Sequence, residues 1–207
     1  MSYSSNRALR LSSLPEEGPS AEATEGIIDA HFQLVEQALR SVPLPSTAAV
    51  VVRLRSARES GATVFIFGNG GSAATAMHWA NDFTMLTGGE GEAALRVVCL
   101  NANVSLVSAI ANDQGYEHVF SEQMRVLLRK GDVVIGISGS GHSLNCVRAF
   151  ETARAAGASC IGILGFDGGV MLGQSDIAVH VPCHDYLAVE DVHMSIGHAL
   201  ARALRRT

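Results

Sequence analysis

Lysine is nearly absent. Among the 15 basic residues of this 207-residue sequence only Lys130, in the turn "RKGD", is a lysine, and arginine supplies the rest. A Walker-type phosphate loop needs its lysine and a Schiff base needs a lysine amine, so P-loop NTPases, pyridoxal enzymes and Schiff-base aldolases are excluded. Paired cysteines are missing too. Cys99, Cys146, Cys160 and Cys183 are scattered without CxxC spacing, and two of them fall in apolar, strand-like runs. That pattern predicts buried thiols in a reducing compartment rather than a disulfide framework. No apolar run is long enough to span a bilayer, and the N-terminus carries no long apolar h-region. A cytoplasmic protein without a membrane partner is expected. Net positive charge is also lacking: the formal balance is -5, which argues against nucleic acid as a partner. The one basic cluster, Arg202 to Arg206, is expected to be a helix C-terminus favoured by the macrodipole.

What is present fits a soluble globular chain of one domain, with 47% apolar and 17% charged residues and room for buried subunit interfaces. Residues 1–22 are polar and carry Pro15, Gly18 and Pro19, which predicts a mobile N-terminal segment ahead of a single domain over 23–207. Apolar spacing then predicts two helices, over 24–41 and 46–59, the second ending near Gly61. Beyond them, five short apolar runs alternate with helical segments: "TVFIF" (63–67), "RVVCL" (96–100), "VVIGIS" (133–138), "SCIGIL" (159–164) and "IAVHV" (177–181). Buried runs separated by helices imply βαβ units. The expected class is α/β: a doubly wound, mainly parallel five-stranded sheet flanked by helices, preceded by a helical pair and closed by a long helix over 187–206.

In open α/β sheets ligands bind at the carboxyl ends of strands. Two strand ends here have suitable loops. The first is Gly68-Asn69-Gly70-Gly71-Ser72, where glycines admit a ligand close to the backbone, a following helix offers free N–H groups, and Ser72 adds a hydroxyl. It is not GxGxxG, which disfavours a dinucleotide. The second is Ser138-Gly139-Ser140-Gly141-His142-Ser143, a nest of neutral donors in which His142 is placed to touch a ligand. Either loop alone is as readily a tight turn. Together they point to an anion held without lysine.

A second constellation lies on the helices. His78 and Asp82 are i,i+4 neighbours and share one helix face. Glu190 and His198, eight apart on the last helix, share a broad face, and His193 is an alternative to His198. Two imidazoles and two carboxylates suit zinc, and a carboxylate with an imidazole suits acid–base work. Spacing alone leaves both open, beside plain structural use of each residue.

These segments together are similar to a known family. "FGNGGSAATAMHWANDF", "LNANVSLVSAIANDQGYEHVFSEQ", "GDVVIGISGSGHSLN", "GFDGGVM" and "VEDVHMSIGHAL" resemble the sugar isomerase (SIS) domain proteins, specifically the phosphoheptose isomerase group, over roughly residues 25–205. The resemblance implies an SIS-type, flavodoxin-like sandwich and a homotetramer with sites between subunits. It implies aldose–ketose isomerisation of a phosphorylated sugar, most simply sedoheptulose 7-phosphate. Its phosphate ligands fall on Ser72, Ser138, Ser140 and Ser143, and the wider substrate set takes in Asn69, Gly70, Gly71, Asn103, Gly139 and His142. Its Zn2+ positions fall on His78, Asp82, Glu190 and His198, with Asp82 as the base and His198 as its acid–base partner.

Most of the departures from the family pattern lie away from the phosphate. Asp82 replaces a glutamate, Glu190 a glutamine, Gly139 the middle residue of Ser-Thr-Ser, Asn103 an aspartate, Leu86 an arginine and Leu187 an aspartate. Two carboxylates would leave bound zinc more nearly neutralised, or would pass the proton transfer to Glu190 while Asp82 stays a ligand. The changes also predict an altered sugar, such as a longer ketose phosphate. A rival of another class is a non-catalytic sensor or partner-binding regulator on the same fold, which would need the loops but not the four metal positions.

Overall fold

The computed structural model describes residues 20–88 and 93–205, so most of the N-terminal segment expected at 1–22 lies outside the described residues. The first helix, α1 (Ala21–Arg40), starts three residues earlier than its apolar spacing implied. Ser20 is the reason: its hydroxyl accepts from the Ala23 N–H at 3.2 Å and satisfies one of the free donors of the first turn. Helix α2 (Leu44–Ser60) begins with proline in its first turn and stops at Gly61, whose φ of 69° closes the helix in the left-handed region.

The rest alternates strand and helix: β1 (Thr63–Gly68), α3 (Gly71–Leu86), β2 (Arg96–Cys99), α4 (Val104–Asp113), a 3-10 turn at Tyr116–His118, α5 (Ser121–Leu127), β3 (Val133–Ser138), α6 (Leu144–Ala155), β4 (Ser159–Leu164), α7 (Gly169–Gln174), β5 (Ile177–His180) and α8 (Tyr186–Leu204). Among the described residues the strands form one sheet, fully parallel, in the order β2-β1-β3-β4-β5. This is a doubly wound, flavodoxin-like order.

Period-2 alternation sorts the strand side chains between two cores. Val64 and Ile66 of β1, with Ile135, Ile137, Ile161 and Ile163, pack under α2, α3 and α8 around Trp79 and Phe83. Phe65 and Phe67, with Val134 and Cys160, pack under α4 to α7 around Phe120 and Phe150. Each such fully buried side chain stabilises the fold by roughly 1.5–3 kcal/mol before entropy is counted. Both faces are covered, as the continuous apolar runs of the strands required.

Burial also decides the thiols. Cys146 and Cys160 are free and buried, and burial pushes both up to about 12. Cys99, half-buried on the edge strand, is raised for the same reason. No helix of the described residues is long and apolar enough to cross a membrane.

Helix α1 differs from the others. It packs on α8, yet only Ala38 of its 20 residues is buried, while Ile27, Ile28 and Phe32 face outward.

Candidate active site

The sheet order reverses between β1 and β3, where one chain direction runs to β2 and the other to β4. That topological switch point leaves a crevice beyond the carboxyl ends of the two strands. The two glycine- and serine-rich loops follow β1 and β3, so the fold sets them side by side. A cavity of about 290 Å³ lies there, lined by Asn69 to Ser72, Ile137 to Ser140, Ser143, Tyr186 and Glu190. A larger cavity of about 480 Å³ opens at the other end of β1, near Gly61, Thr63 and Arg129. Its buried carboxylate, Asp132, is already used by the backbone, accepting from the Thr63 and Arg129 N–H groups at 2.8 Å each. Convergent polar groups, not size, single out the crevice.

Its walls are held by amides, of which only Asn69 belongs to the expected site residues. Asn101 replaces a missing strand partner: it accepts from the Gly68 N–H at 3.2 Å and donates to the Gly68 carbonyl at 2.9 Å. Asn69 and Asn145 exchange two amide hydrogen bonds, at 2.9 and 2.8 Å, and tie the first loop to the start of α6. The Tyr116 hydroxyl donates to Asn69 at 3.0 Å. The place of Asn145 two residues after the serine loop was a usable signal; Asn101 and Tyr116 gave none.

The hydroxyls are arranged around this frame. Ser72 lies buried in the first turn of α3. The Ser138 hydroxyl accepts from the Gly141 N–H at 3.0 Å, and Ser140 accepts from the His142 N–H at 3.3 Å. Ser143 stands at the N-terminus of α6 without capping it, so its hydroxyl is not spent on the helix. His142 points outward and faces Asp167 at 3.6 Å. The Gly169 N–H, and then the His142 charge, hold the Asp167 carboxyl below its ordinary value. Asn103 lies outside the cavity lining; it caps α4 by accepting from the Leu106 N–H at 3.1 Å.

The second constellation divides. His78 and Asp82 on α3 meet His198 on α8: His78 Nε2 lies 2.9 Å from His198 Nε2 and 3.4 Å from Asp82 Oδ2, and His198 Nε2 lies 3.7 Å from Asp82 Oδ2. The helices come this close because Gly197 carries no side chain where the Trp79 indole lies against it. Tetrahedral zinc with bonds of about 2.1 Å has an edge of about 3.4 Å. The three donor atoms bracket that edge and form a group that could hold a metal ion.

Glu190 is elsewhere. Eight helical residues separate it from His198, roughly 12 Å along α8. Its carboxylate lies against Gly71, where any Cβ would overlap it, and it lines the loop cavity. The chain therefore brings together three of the four expected metal positions and puts the fourth beside the serines. His193, the alternative to His198, is fully buried with neither ring nitrogen hydrogen-bonded, and desolvation lowers it to about 4 although the nearby Leu164 carbonyl favours its charged form. It is a neutral core residue in this fold.

A further cavity of about 250 Å³ adjoins the trio, lined by Asp82, Leu86, His198, Ala201, Arg202 and Arg205. Two arginines expected only to complement the helix dipole thus stand beside the His/Asp group, on the same wall as the leucine that replaces a family arginine.

The sequence pattern of the SIS domain matches residues 35–165. The chain is 34% identical over 191 residues to the phosphoheptose isomerase of Roseiflexus sp. (strain RS-1), covering 91% of this chain and 96% of that one. Its fold matches a phosphoheptose isomerase from Neisseria gonorrhoeae with a TM-score of 0.77 at 30% identity, over 88% of this chain and 97% of that one. A phosphoheptose isomerase from Francisella tularensis superposes with a TM-score of 0.81 at 24% identity, over 92% and 100% of the two chains.

Proposed function

The chain belongs to the SIS domain family and, within it, to the phosphoheptose isomerase group, and from that premise we propose that it interconverts an aldose and a ketose phosphate at the crevice between β1 and β3. The observation that carries this is the pairing of two unlike features: neutral donors at the switch point for a phosphate, and His78, Asp82 and His198 on the adjoining helices for proton transfer. A sensor would need the first and has no use for the second. Sedoheptulose 7-phosphate is the substrate of first choice, and the changed residues Leu86, Asn103 and Leu187 allow for a longer ketose phosphate.

Ser72, Ser138, Ser140 and Ser143, with the free N–H groups of α3, hold the phosphate through hydrogen bonds rather than a lysine charge. Asn69, Gly70, Gly71 and Gly139 shape the wall behind it, and His142 lies at its rim. His78, Asp82 and His198 fit zinc, whose part when bound is to polarise the substrate carbonyl as a Lewis acid. Asp82 moves the proton between C1 and C2, and His198 serves the oxygens. Glu190 is the second candidate base, favoured by its place in the loop cavity with the serines.

The separation of Glu190 from His198 supports a site shared between protomers. Glu190 completes a four-ligand shell only if another copy offers it, and the outward apolar residues of α1, Ile27, Ile28 and Phe32, are the kind of surface an oligomer covers. A cytoplasmic homotetramer fits this reading.

The decisive experiment is isomerisation of sedoheptulose 7-phosphate followed with zinc and with chelator. Turnover that the chelator abolishes and zinc restores is expected. Turnover on neither this sugar nor related ketose phosphates would turn the reading toward a binder.

A further inference from the structure

Among the described residues Phe166 is the only non-glycine residue with positive φ, at 47°. An aromatic residue is held there only when its surroundings over-determine it, and such conformations concentrate at functional sites. Phe166 is clamped on both backbone sides: its N–H donates to the Cys183 carbonyl at 3.0 Å, and its own carbonyl lies 2.9 Å from His180 Nε2.

The conformation aims the ring at Tyr186. The two ring centroids are 4.5 Å apart with planes tilted at 48°, and His184 meets the Phe166 ring edge-on at 5.3 Å. Tyr186 is itself fixed at the first position of α8, where Asp185 caps the helix by accepting from the Ala188 N–H at 2.9 Å. From there it forms one wall of the serine-loop cavity. It remains 56% exposed, so one face of the ring is free.

Gly139 lets the ring in. A Cβ at that position would lie 2.9 Å from Tyr186 Cε1 and 3.0 Å from Cδ1, closer than a side chain tolerates without moving the ring. The middle residue of the phosphate loop has no side chain, and a tyrosine ring occupies the space beside it.

We propose that Tyr186, braced by Phe166 and admitted by Gly139, is a specificity residue whose free face packs against the C–H face of the carbon chain of a phosphorylated sugar anchored at Ser138, Ser140 and Ser143. This rests on the isomerase reading and deepens it. The serines recognise a phosphate, which every phosphorylated metabolite carries. An apolar wall next to them rewards only a ligand with a C–H surface directly beyond the phosphate, since apolar walls with a few fixed polar groups are how small-molecule pockets discriminate. The wall stands beside the phosphate, away from the His78, Asp82 and His198 trio, so it acts on binding and not on proton transfer.

The test uses two probes, inorganic phosphate and sedoheptulose 7-phosphate, titrated calorimetrically into the full-length protein. Wild type should bind the sugar phosphate more tightly than phosphate. Tyr186→Ala should weaken the sugar phosphate about tenfold and leave phosphate within about twofold. Gly139→Ala should weaken the sugar phosphate by displacing the ring, and that loss should be smaller in the Tyr186→Ala background, where no ring is left to displace. Unchanged sugar-phosphate affinity in Tyr186→Ala overturns the proposal. So do equal losses for both probes, which would make the ring a mere support for the serine loop, and so does a changed assembly size, which would make it a subunit contact. Failure of wild type to bind phosphate at all overturns the anchoring site itself, a result distinct from every other arm.

Discussion

The crevice between β1 and β3 and the seam between α3 and α8 are both made of polar residues, yet they are built in opposite ways. The crevice is made of loop backbone and short hydroxyls, locked by the Asn101–Gly68 and Asn69–Asn145 hydrogen bonds. The seam carries long side chains on helix surfaces, with His78 and His198 exposed and Asp82 half-buried. A phosphate needs many donors in a fixed shell, which strand ends supply cheaply. Proton transfer needs a few groups that can change charge state, and helix faces present those without burying them.

The largest expected effect breaks the seam alone. His198→Ala should lower kcat by about 10²–10⁴, with the inhibition constant of inorganic phosphate unchanged within about twofold. A parallel loss of phosphate binding in competition assays would mean that the two regions are one site in a single protomer. Mixing His198→Ala with Glu190→Ala, each expected to be impaired alone, sharpens the same point. If protomers share sites, refolding the two together should restore up to about a quarter of wild-type turnover; no recovery would place both groups in one chain's site.

The next effect concerns the helix that both regions use. His193 is buried and lowered to about 4, against an ordinary value of 6.5. Below pH 6.5 the unfolded chain takes up a proton that the folded one refuses, so stability should be full above pH 6.5 and fall as pH drops toward 4, by about 3 kcal/mol in total. His193→Leu removes the titrating group and should flatten that slope in urea titrations across the range. An unchanged slope would assign the acid sensitivity to other groups.

The smallest effect touches the crevice alone. Ser140→Ala removes one neutral donor and should weaken inorganic phosphate about tenfold while leaving the acid–base pH profile in place. A shifted profile would tie the loop to the chemistry and erase the contrast.

Much of the fold is legible in the sequence. The strands at 133–138 and 159–164 fall where their apolar runs predicted, because buried parallel strands are short, continuous and bounded by loops. The other boundaries moved by a residue or more: β2 ends at Cys99 and β5 at His180, one residue short of their apolar runs, and Ser20 draws α1 forward. The site was read unevenly. The Gly-Ser loops and the His78–Asp82 pair are local patterns, within reach of a few residues' spacing. Tyr186, Asn145 and Asn101 act through Gly139, Asn69 and Gly68, which lie 47, 76 and 33 positions away in the chain, and no period marks them.

Composition and periodicity by themselves determined the α/β class, the exclusion of lysine chemistry and the two loops, since each follows from a residue's own character and its nearest neighbours. Only the tertiary structure decided that β1 and β3 lie side by side, that His198 joins His78 and Asp82, and that Glu190 stands with the serines instead. Strand order and helix packing are settled by long-range burial, and a helix face shared at eight-residue spacing still extends roughly 12 Å. Phase along a helix is written in the sequence; distance across the fold is not.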